Sequence, residues 1–356
     1  LFELHDRERF EIIGVSFGPD DRSEMRARLI TGFDQFLDVR GKSDAEVARL
    51  LSELKVDIAI DLQGHTRGSR PRILAHRPAP IQVNYLAYPG TMGADFIDYI
   101  IADNVVLPFD QQASYSERIV HLSDCYQPND RQRQIADRTP SRAEVGLPEE
   151  VLVFCSFNNN RKITPEVFDA WMRLLQAIDG SVLWLLRSNA TAEQNLKREA
   201  AACGVDPGRL VFAPPTELED HLARYRLADL FLDTLPYNAH TTASDALWAG
   251  LPVLTRMGNT FAGRVAASLL HALGLPELIT STLADYEALA LALARDPVRL
   301  SDTKAKLARN RDTYPLFDTD RCCRNIEVCY AKMWETWQAK EIPTSFTVGS
   351  NTTRLR

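Results

Sequence analysis

The chain has 356 residues, 45% of them hydrophobic and 25% charged, with a formal net charge of -7. This length allows two domains that each bury a core, and the composition is that of an ordinary globular protein. The acidic balance argues against a general nucleic-acid binder or a binder of anionic membranes, because both need a basic surface.

Short apolar runs alternate with helical patterns in the first third of the chain, as in parallel α/β units. The predicted strands cover residues 10–17, 56–62, 81–86, 99–102 and 119–122. Residues 45–54 carry apolar side chains at helical spacing between the first two strands. We therefore predict a Rossmann-like N-terminal domain at 1–130. Because the residues after Leu1 do not resemble the start of a domain, we expect its beginning to lie further upstream.

Two glycine-containing loops follow strands of this domain. Residues 61–68, DLQGHTRG, stand directly after a strand, and their two glycines let the main chain approach a ligand. His65 could carry a proton or bind a ligand hydroxyl, or it could simply be hydrogen-bonded within the loop. The second loop, residues 88–93 (YPGTMG), is expected on the rim of the ligand cleft.

A polar, proline-containing stretch at 127–142 indicates a linker, which we place at 131–150. Apolar runs resume at 151–157, 181–186, 210–212, 230–232 and 253–255, with helical patterns at 165–177, 192–203, 218–226 and 242–249. The almost unbroken apolar runs at 151–154 and 181–186 suit strands covered on both faces. These elements predict a second Rossmann-like domain at 151–340 and a tail at 341–356. The predicted fold class is therefore α/β, with two doubly wound lobes facing a cleft.

The loop at 157–162, FNNNRK, follows the first strand of the second domain and precedes a helix. Two adjacent cations and three amides at the carboxyl end of a strand suit a diphosphate, with Lys162 as a mobile point charge. The alternative is a solvated turn, since asparagine-rich loops are common.

The strongest local signal is the run at 232–250, LDTLPYNAHTTASDALWAG, in which a strand, a loop and a helix follow one another. Unpaired main-chain N–H groups and the positive end of the helix dipole near His240, Thr241 and Thr242 favour phosphate. Asp245 lies one turn further on, where its carboxylate could accept from a ribose hydroxyl. The alternative is a threonine N-cap beside a partly buried histidine.

Six cysteines without a C-x-x-C pair indicate reduced thiols, and the apolar surroundings of Cys155 predict a buried side chain. The sequence gives little support for a metal site, because its histidines are scattered and the D-x-D at 318–320 is better explained as a helix N-cap. No apolar run approaches the roughly 18 residues that a membrane helix needs, and no signal peptide is visible. We expect a cytoplasmic protein that binds neither membranes nor nucleic acid.

Four stretches of the chain, in the same order, resemble the O-linked N-acetylglucosamine transferase and SPINDLY family: residues 77–99, 157–162, 181–187 and 238–250. The resemblance runs from about residue 10 to residue 337 and is to a bacterial-type catalytic region, without the long insertion between the lobes of animal members. It implies a GT-B glycosyltransferase that needs no metal or other cofactor. It also implies inverting transfer of N-acetylglucosamine from UDP-N-acetylglucosamine to serine and threonine hydroxyls of acceptor proteins.

The resemblance further implies a set of site residues. Lys162 would neutralise the leaving diphosphate. The catalytic candidate in the first domain is His65, which the loop sequence, and not the resemblance, indicates as a possible proton carrier. In the nucleotide-sugar site, the phosphates would contact Asn159, Lys162, His240, Thr241 and Thr242. The ribose would contact Asp245, and the nucleobase would contact His221 and Arg224. The residues implied near the sugar are Thr66, Leu86, Ala87 and Gly90.

Departures from the family pattern leave alternatives open. The family's histidine motif with a candidate catalytic base, and the tetratricopeptide repeats that usually precede the catalytic region, are both expected upstream of Leu1. Leu218 stands where animal members carry a lysine beside the nucleotide, so a protein O-fucosyltransferase using GDP-fucose is the first alternative. A nucleotide-sugar-binding protein with little catalysis is the second.

Overall fold

Parallel strands and covering helices make up both units of the chain, which the computed structural model describes over residues 1–349. The first unit comprises Leu1–Asp130 and the segment from Asp318 onward, and the second comprises Arg131–Phe317. Within the described residues, no helix combines the length and the apolar character that crossing a lipid bilayer requires. The α/β class with two Rossmann-like units is confirmed.

The described residues of the first unit form two parallel sheets. Numbered in chain order, its strands are β1 (Ile13–Ser16), β2 (Gln35–Asp38), β3 (Ile58–Asp61), β4 (Ile81–Tyr85), β5 (Tyr99–Asp103), β6 (Arg118–Leu122) and β13 (Phe346–Thr347). Its α-helices are α1 (Glu24–Thr31), α2 (Asp44–Glu53), α3 (Arg72–Ala75) and α11 (Thr319–Gln338). Strands β1 and β2 pair with each other, and the remaining five follow the order β13-β6-β5-β4-β3. The five predicted strands are all present, whereas β2 escaped prediction because its four residues are all partly exposed or exposed.

The second unit is built on one six-stranded parallel sheet. Its strands are β7 (Val153–Ser156), β8 (Val182–Leu186), β9 (Leu210–Ala213), β10 (Leu230–Leu232), β11 (Val253–Arg256) and β12 (Ile279–Thr280). Its α-helices are α4 (Pro165–Ala177), α5 (Ala190–Ala202), α6 (Leu218–Arg224), α7 (Thr241–Trp248), α8 (Val265–Ala272), α9 (Leu283–Arg295) and α10 (Pro297–Arg311). The sheet order is β12-β11-β10-β7-β8-β9, the doubly wound order in which the winding direction reverses between β7 and β10.

Local sequence explains where the helix after β7 begins. The Thr164 side chain caps α4 by accepting from the N–H of Val167, and Pro165 occupies the first helical position, where its missing N–H costs nothing. The indole of Trp171 on this helix is fully buried and donates to the hydroxyl of Tyr286 on α9, 3.1 Å away. Strand β7 is buried along its whole length, as its apolar run predicts, and Cys155 within it is a buried free thiol.

The two units differ from the predicted domains at the C-terminal end. The predicted second domain extends to residue 340, but α11 belongs to the first unit. Asp318 caps this helix, as predicted, while Thr319 donates to the carbonyl of Asn129 and Arg321 pairs with Asp124. A helix packs on whichever sheet buries its apolar face, and chain order does not reveal that choice. The linker residues 131–150 group with the second unit, β13 lies within the predicted tail, and residues 350–356 of that tail lie outside the described residues.

Candidate functional site

The sheet of the second unit brings two loops together at the point where its strand order reverses. Strand β7 leads into the loop at 157–162, and its neighbour β10 leads into the loop at 233–240. Because the strands are parallel, both loops leave the same carboxyl edge, where doubly wound sheets bind their ligands.

Lys162 joins these two loops. Its ammonium nitrogen Nζ donates to the main-chain carbonyl of Asn238, 2.8 Å away, and lies 4.4 Å from the centre of the Tyr237 ring. Burial lowers the pKa of Lys162, and the nearby Asp233 carboxylate opposes that shift. The arrangement presents a partly buried cation beside the start of α7, where an anionic ligand would be bound.

Asp233 organises the loop that receives Lys162. This fully buried carboxylate accepts from the N–H groups of Thr234 and Ala239, at 2.7 and 2.6 Å, and from the Thr255 hydroxyl at 2.7 Å. Burial is the main influence on Asp233 and raises its pKa to about 6. Asp233 is not among the site residues predicted from the sequence, although an acidic residue at the end of an apolar strand is a visible signal.

His240 stands at the N-terminus of α7 and stacks on Tyr237, with ring centres 4.8 Å apart. Its Nε2 lies 3.2 Å from the carbonyl oxygen of Ala262, and an imidazole that donates there keeps its lone pair on Nδ1. Burial, assisted by the Lys162 charge, lowers the pKa of His240 to about 4. Thr241 and Thr242 form the first turn, where the N–H groups have no intrahelical acceptor. This end of the helix therefore has the anion-favouring main chain that the sequence predicts.

Asp245, on the next turn of α7, is buried and forms an ion pair with Arg133 from the predicted linker. Burial raises the pKa of the Asp245 carboxyl, and Arg133 opposes the shift. The two residues are 112 positions apart in the chain, so the sequence offered no signal for this contact.

A second cluster lies where α6 meets the end of β7. His221 and Arg224 are in hydrogen-bonding contact, and the Arg224 guanidinium lies 4.6 Å from the centre of the Phe157 ring while donating to the carbonyl of Pro214. The His221 ring also lies 5.4 Å from that of Phe157. Burial and the Arg224 charge lower the pKa of His221 to about 4. The structure thus brings the two predicted nucleobase residues together through Phe157, the first residue of the 157–162 loop, for which the sequence indicated no contact with the base.

An open cavity of about 480 Å³ lies beside Lys162. It is lined by Asn159, Arg161, Lys162, Thr164, Pro236 and Tyr237. Asn159 is exposed, and its side chain accepts from the N–H of Arg161 at 3.0 Å. Its neighbour Asn158 is 2% exposed, and neither polar atom of its side chain has a hydrogen-bond partner within residues 1–349. A buried amide normally has a hydrogen-bond partner, which makes Asn158 a notable polar group of this loop. It is not among the site residues predicted from the sequence.

The glycine-containing loops of the first unit contact each other. His65 is exposed; its Nε2 lies 3.1 Å from the carbonyl oxygen of Met92, and its ring meets that of Tyr88 edge-on. Gly64 has a φ of 54°, and a Cβ at this position would lie 2.3 Å from the Cβ of Tyr88. The glycine is therefore required by the packing of Tyr88.

The four residues predicted near the sugar belong to these same two loops. Thr66 donates to the carbonyl of Gln63, and Gly90 accepts from the Asn84 side chain. Leu86 has a φ of 81°, a conformation that costs free energy for a leucine, and Ala87 follows it in an exposed position. Strain of this kind concentrates at functional sites, which is consistent with the predicted role of this turn.

Three side chains of metal-ligand type lie together in the described part of the first unit: His5, Cys323 and Glu327. All three are buried. Nδ1 of His5 lies 3.1 Å from Oε1 of Glu327, which also accepts from the N–H of Asp6 at 2.7 Å. These hydrogen bonds account for the arrangement, and the expectation that the site needs no metal stays a prediction.

The model of glycosyl transferase family 41 matches residues 1–139 and 130–326 of the chain. A probable UDP-N-acetylglucosamine–peptide N-acetylglucosaminyltransferase SEC of Arabidopsis thaliana is 39% identical over 99% of the chain and 36% of its own length. The enzyme of the same type from Caenorhabditis elegans is 28% identical over 94% of the chain and 39% of its length. The chain thus spans little more than a third of the length of these curated relatives.

Solved structures show the same fold. A mutant O-GlcNAc transferase of Thermobaculum terrenum superposes with a TM-score of 0.87 at 33% identity, over 95% of the chain and 64% of that protein. The Anabaena protein HepE, solved with UDP and glucose, superposes with a TM-score of 0.58 at 12% identity, over 92% of the chain and 91% of its own. At that low identity, the second similarity concerns the fold alone.

Proposed function

The chain belongs to glycosyl transferase family 41, and on that basis we propose that it transfers N-acetylglucosamine from UDP-N-acetylglucosamine to serine and threonine hydroxyls of proteins. The observation that carries the proposal is the position of Lys162. Its ammonium is held beside the start of α7 by Asn238 and Tyr237, at the reversal point of the sheet. This arrangement supports a diphosphate site that Lys162 shares with the main chain of residues 240–242.

Lys162 and the helix terminus would stabilise the departing UDP without a metal ion. As the bond between the anomeric carbon and the β-phosphate oxygen breaks, its electron pair passes to UDP and negative charge grows on that phosphate. A preformed cation and aligned N–H groups at that place stabilise the transition state more than the ground state. Asn159, on the exposed side of the same loop, would add a diphosphate contact.

The nucleoside would occupy the cluster around Phe157. His221 and Arg224 would contact the base, and Asp245 would accept from the ribose hydroxyls. The Arg224 guanidinium lies over the Phe157 ring, and both residues are buried. Aromatic and guanidinium planes favour stacking, which supports a planar ligand beside this pair.

The acceptor hydroxyl would attack the anomeric carbon on the face opposite the leaving UDP, so the new bond forms with inversion. Its proton must pass to a base. Within this chain the candidate is His65, because an imidazole that donates from Nε2 to the Met92 carbonyl keeps an acceptor at Nδ1. Thr66, Leu86, Ala87 and Gly90 are the accompanying candidates for the sugar pocket.

The side chain of Leu218 is the reason for a second candidate sugar donor. It is the first residue of α6 and is 46% exposed, so an aliphatic side chain stands three residues before His221. An aliphatic group there supplies no charge to select uracil, and GDP-fucose is therefore the alternative donor.

Calorimetry with UDP and GDP, followed by donor turnover with EDTA present, tests the proposal. We expect UDP to bind more tightly and UDP-N-acetylglucosamine to yield glycosylated acceptor peptide or free sugar at an unchanged rate in EDTA. A clear preference for GDP would favour the fucosyl donor. Binding of UDP without turnover would favour a nucleotide-sugar-binding protein, and loss of activity in EDTA would contradict metal independence.

A further inference from the structure

We propose that Arg133 is a positioning residue that holds the Asp245 carboxylate in place for the ribose of the donor, so that the linker contributes to nucleotide recognition. The inference rests on the proposed function, in which Asp245 accepts from the ribose hydroxyls.

The position of Asp245 on α7 suits a ligand at the helix N-terminus. Asp245 follows Thr241 by four residues, so both side chains lie on one face of the helix. Side chains on a helix lean toward its N-terminus, which directs this carboxylate toward the predicted phosphate end. Asp245 is only 8% exposed, and a buried carboxylate requires a partner.

Arg133 supplies that partner and is itself fixed by Trp248, at the other end of α7. The Trp248 indole donates to the main-chain carbonyl of Arg133 at 3.3 Å, and the Arg133 guanidinium lies 5.8 Å from the centre of the indole ring. Arg311 holds Trp248 from another direction by donating to its carbonyl at 3.1 Å. The guanidinium therefore reaches Asp245 from a main-chain position that α7 and α10 determine.

The ion pair holds one oxygen of the Asp245 carboxylate in place, and the positive charge of Arg133 stabilises the negative charge that both carboxylate oxygens share. Arg133 contacts Oδ1 of Asp245, and each side chain of the pair is 12% exposed. An ion pair this shielded from water resists separation more than a surface pair does. Arg133 also opposes the rise that burial causes in the pKa of Asp245. Arg133 thereby favours the ionised carboxylate, the form that can accept from two hydroxyls. Without Arg133, the carboxylate would lose both its orientation and its counter-charge.

Calorimetry of variants with UDP and with 2′,3′-dideoxy-UDP, which lacks both ribose hydroxyls, tests this role. The wild-type chain is expected to bind UDP about 10-fold to 100-fold more tightly than 2′,3′-dideoxy-UDP, which is the usual effect of hydrogen bonds to a charged group. Arg133→Gln should reduce the preference to about 3-fold or less while leaving affinity for the dideoxy ligand unchanged, and Arg133→Lys should restore part of it. Asp245→Asn should abolish the preference for UDP. In the double variant, Arg133→Gln should change that preference no further than Asp245→Asn does alone.

Arg138→Gln is the matched control, because Arg138 lies in the same linker and its ion pair with Glu144 is exposed. This variant should keep the full preference for UDP. If the wild-type chain binds no UDP, the proposed function fails. If it binds and prefers UDP but Arg133→Gln keeps that preference, only the role of Arg133 is refuted. Equal loss of both ligands, tighter UDP binding by Arg133→Gln, or no preference in the wild type would also refute it.

Discussion

Nζ of Lys162 donates to the main-chain carbonyl of Asn238 across 76 positions of sequence, and this contact ties together the loops that follow β7 and β10. Asn238 in turn is held by its own side-chain amide, which donates to the carbonyl of Thr234 at 3.0 Å. The ammonium therefore has a fixed place before any ligand arrives. Preorganisation of this kind is what electrostatic stabilisation of a leaving group requires.

In the proposed mechanism, replacement of Lys162 removes the charge that would stabilise the departing UDP. We expect Lys162→Ala to lower kcat by about 10²-fold to 10³-fold or more, the usual effect of deleting one preorganised donor. Steady-state kinetics at saturating donor provide the measurement. Arg161→Ala is the control, since Arg161 lines the same cavity as an exposed neighbouring cation and should change kcat only a few-fold. A near-normal rate for Lys162→Ala would show that the assigned role is wrong.

Asp233 should influence activity through the protonation of Lys162. Burial lowers the pKa of Lys162 and the Asp233 carboxylate opposes that effect, so Asp233→Asn should lower the pKa of Lys162 further. Since the proposed mechanism requires the charged lysine, the alkaline limb of the pH–kcat profile should move to lower pH. The limb is measured from pH 7 to 10.

Asp103→Asn is the matched control for this shift. Asp103 is a buried carboxylate of the first unit that, like Asp233, accepts three hydrogen bonds, in its case from the main-chain N–H groups of Val105, Val106 and Tyr126. Its replacement should destabilise the fold to a similar degree without moving the alkaline limb. An equal shift in both variants would mean that the effect reflects stability alone.

His240 should be neutral in the free protein at physiological pH, because burial lowers its pKa to about 4. NMR of histidine-labelled protein should show one imidazole, absent in His240→Asn, that does not titrate above about pH 5. An anionic diphosphate nearby favours the charged form, so UDP should raise this pKa. An assigned resonance that titrates near 6.5 in the free protein would contradict the burial of the ring.

The same shift predicts how His240 affects stability. An unfolded histidine has a pKa near 6.5, so between about pH 4 and 6.5 the unfolded chain binds the proton and the folded chain does not. The contribution of neutral His240 to the free energy of unfolding is therefore fully present above pH 6.5 and is lost as the pH falls from about 6.5 to 4. Thermal unfolding at pH 5 and pH 7 should therefore show a smaller difference in Tm for His240→Asn than for the wild type.

The Tyr286 hydroxyl connects the core to the site, because it accepts from Trp171 and donates to the carbonyl of Asp233 at 3.0 Å. Tyr286→Phe should leave both partners buried without a hydrogen bond and lower the free energy of unfolding by about 1–3 kcal/mol. Urea unfolding measures this loss. Tyr314→Phe removes a hydroxyl from a residue that is 42% exposed and should change stability by about 0.5 kcal/mol or less. Equal effects of the two substitutions would refute the role of the Tyr286 hydroxyl.

Local signals predicted much of the second unit. The apolar runs of β7 and β8, the helical pattern that begins at Pro165, and the threonines at the start of α7 each concern neighbouring residues. Strand burial, helix capping and the anion-favouring helix terminus arise within one turn or one strand, so the order of residue types is enough to predict them.

Which of the predicted residues contact one another follows from the three-dimensional fold. The pairing of Arg133 with Asp245, the contact of Arg224 with Phe157 and the assignment of α11 to the first unit all join distant parts of the chain. Such contacts depend on strand order and on which sheet buries each apolar face, and neither property is written in a local pattern. The residue types of the two loops already supply the chemical groups proposed to bind a diphosphate. The reversal between β7 and β10 brings Lys162 and His240 together, because both loops leave the same edge of the sheet.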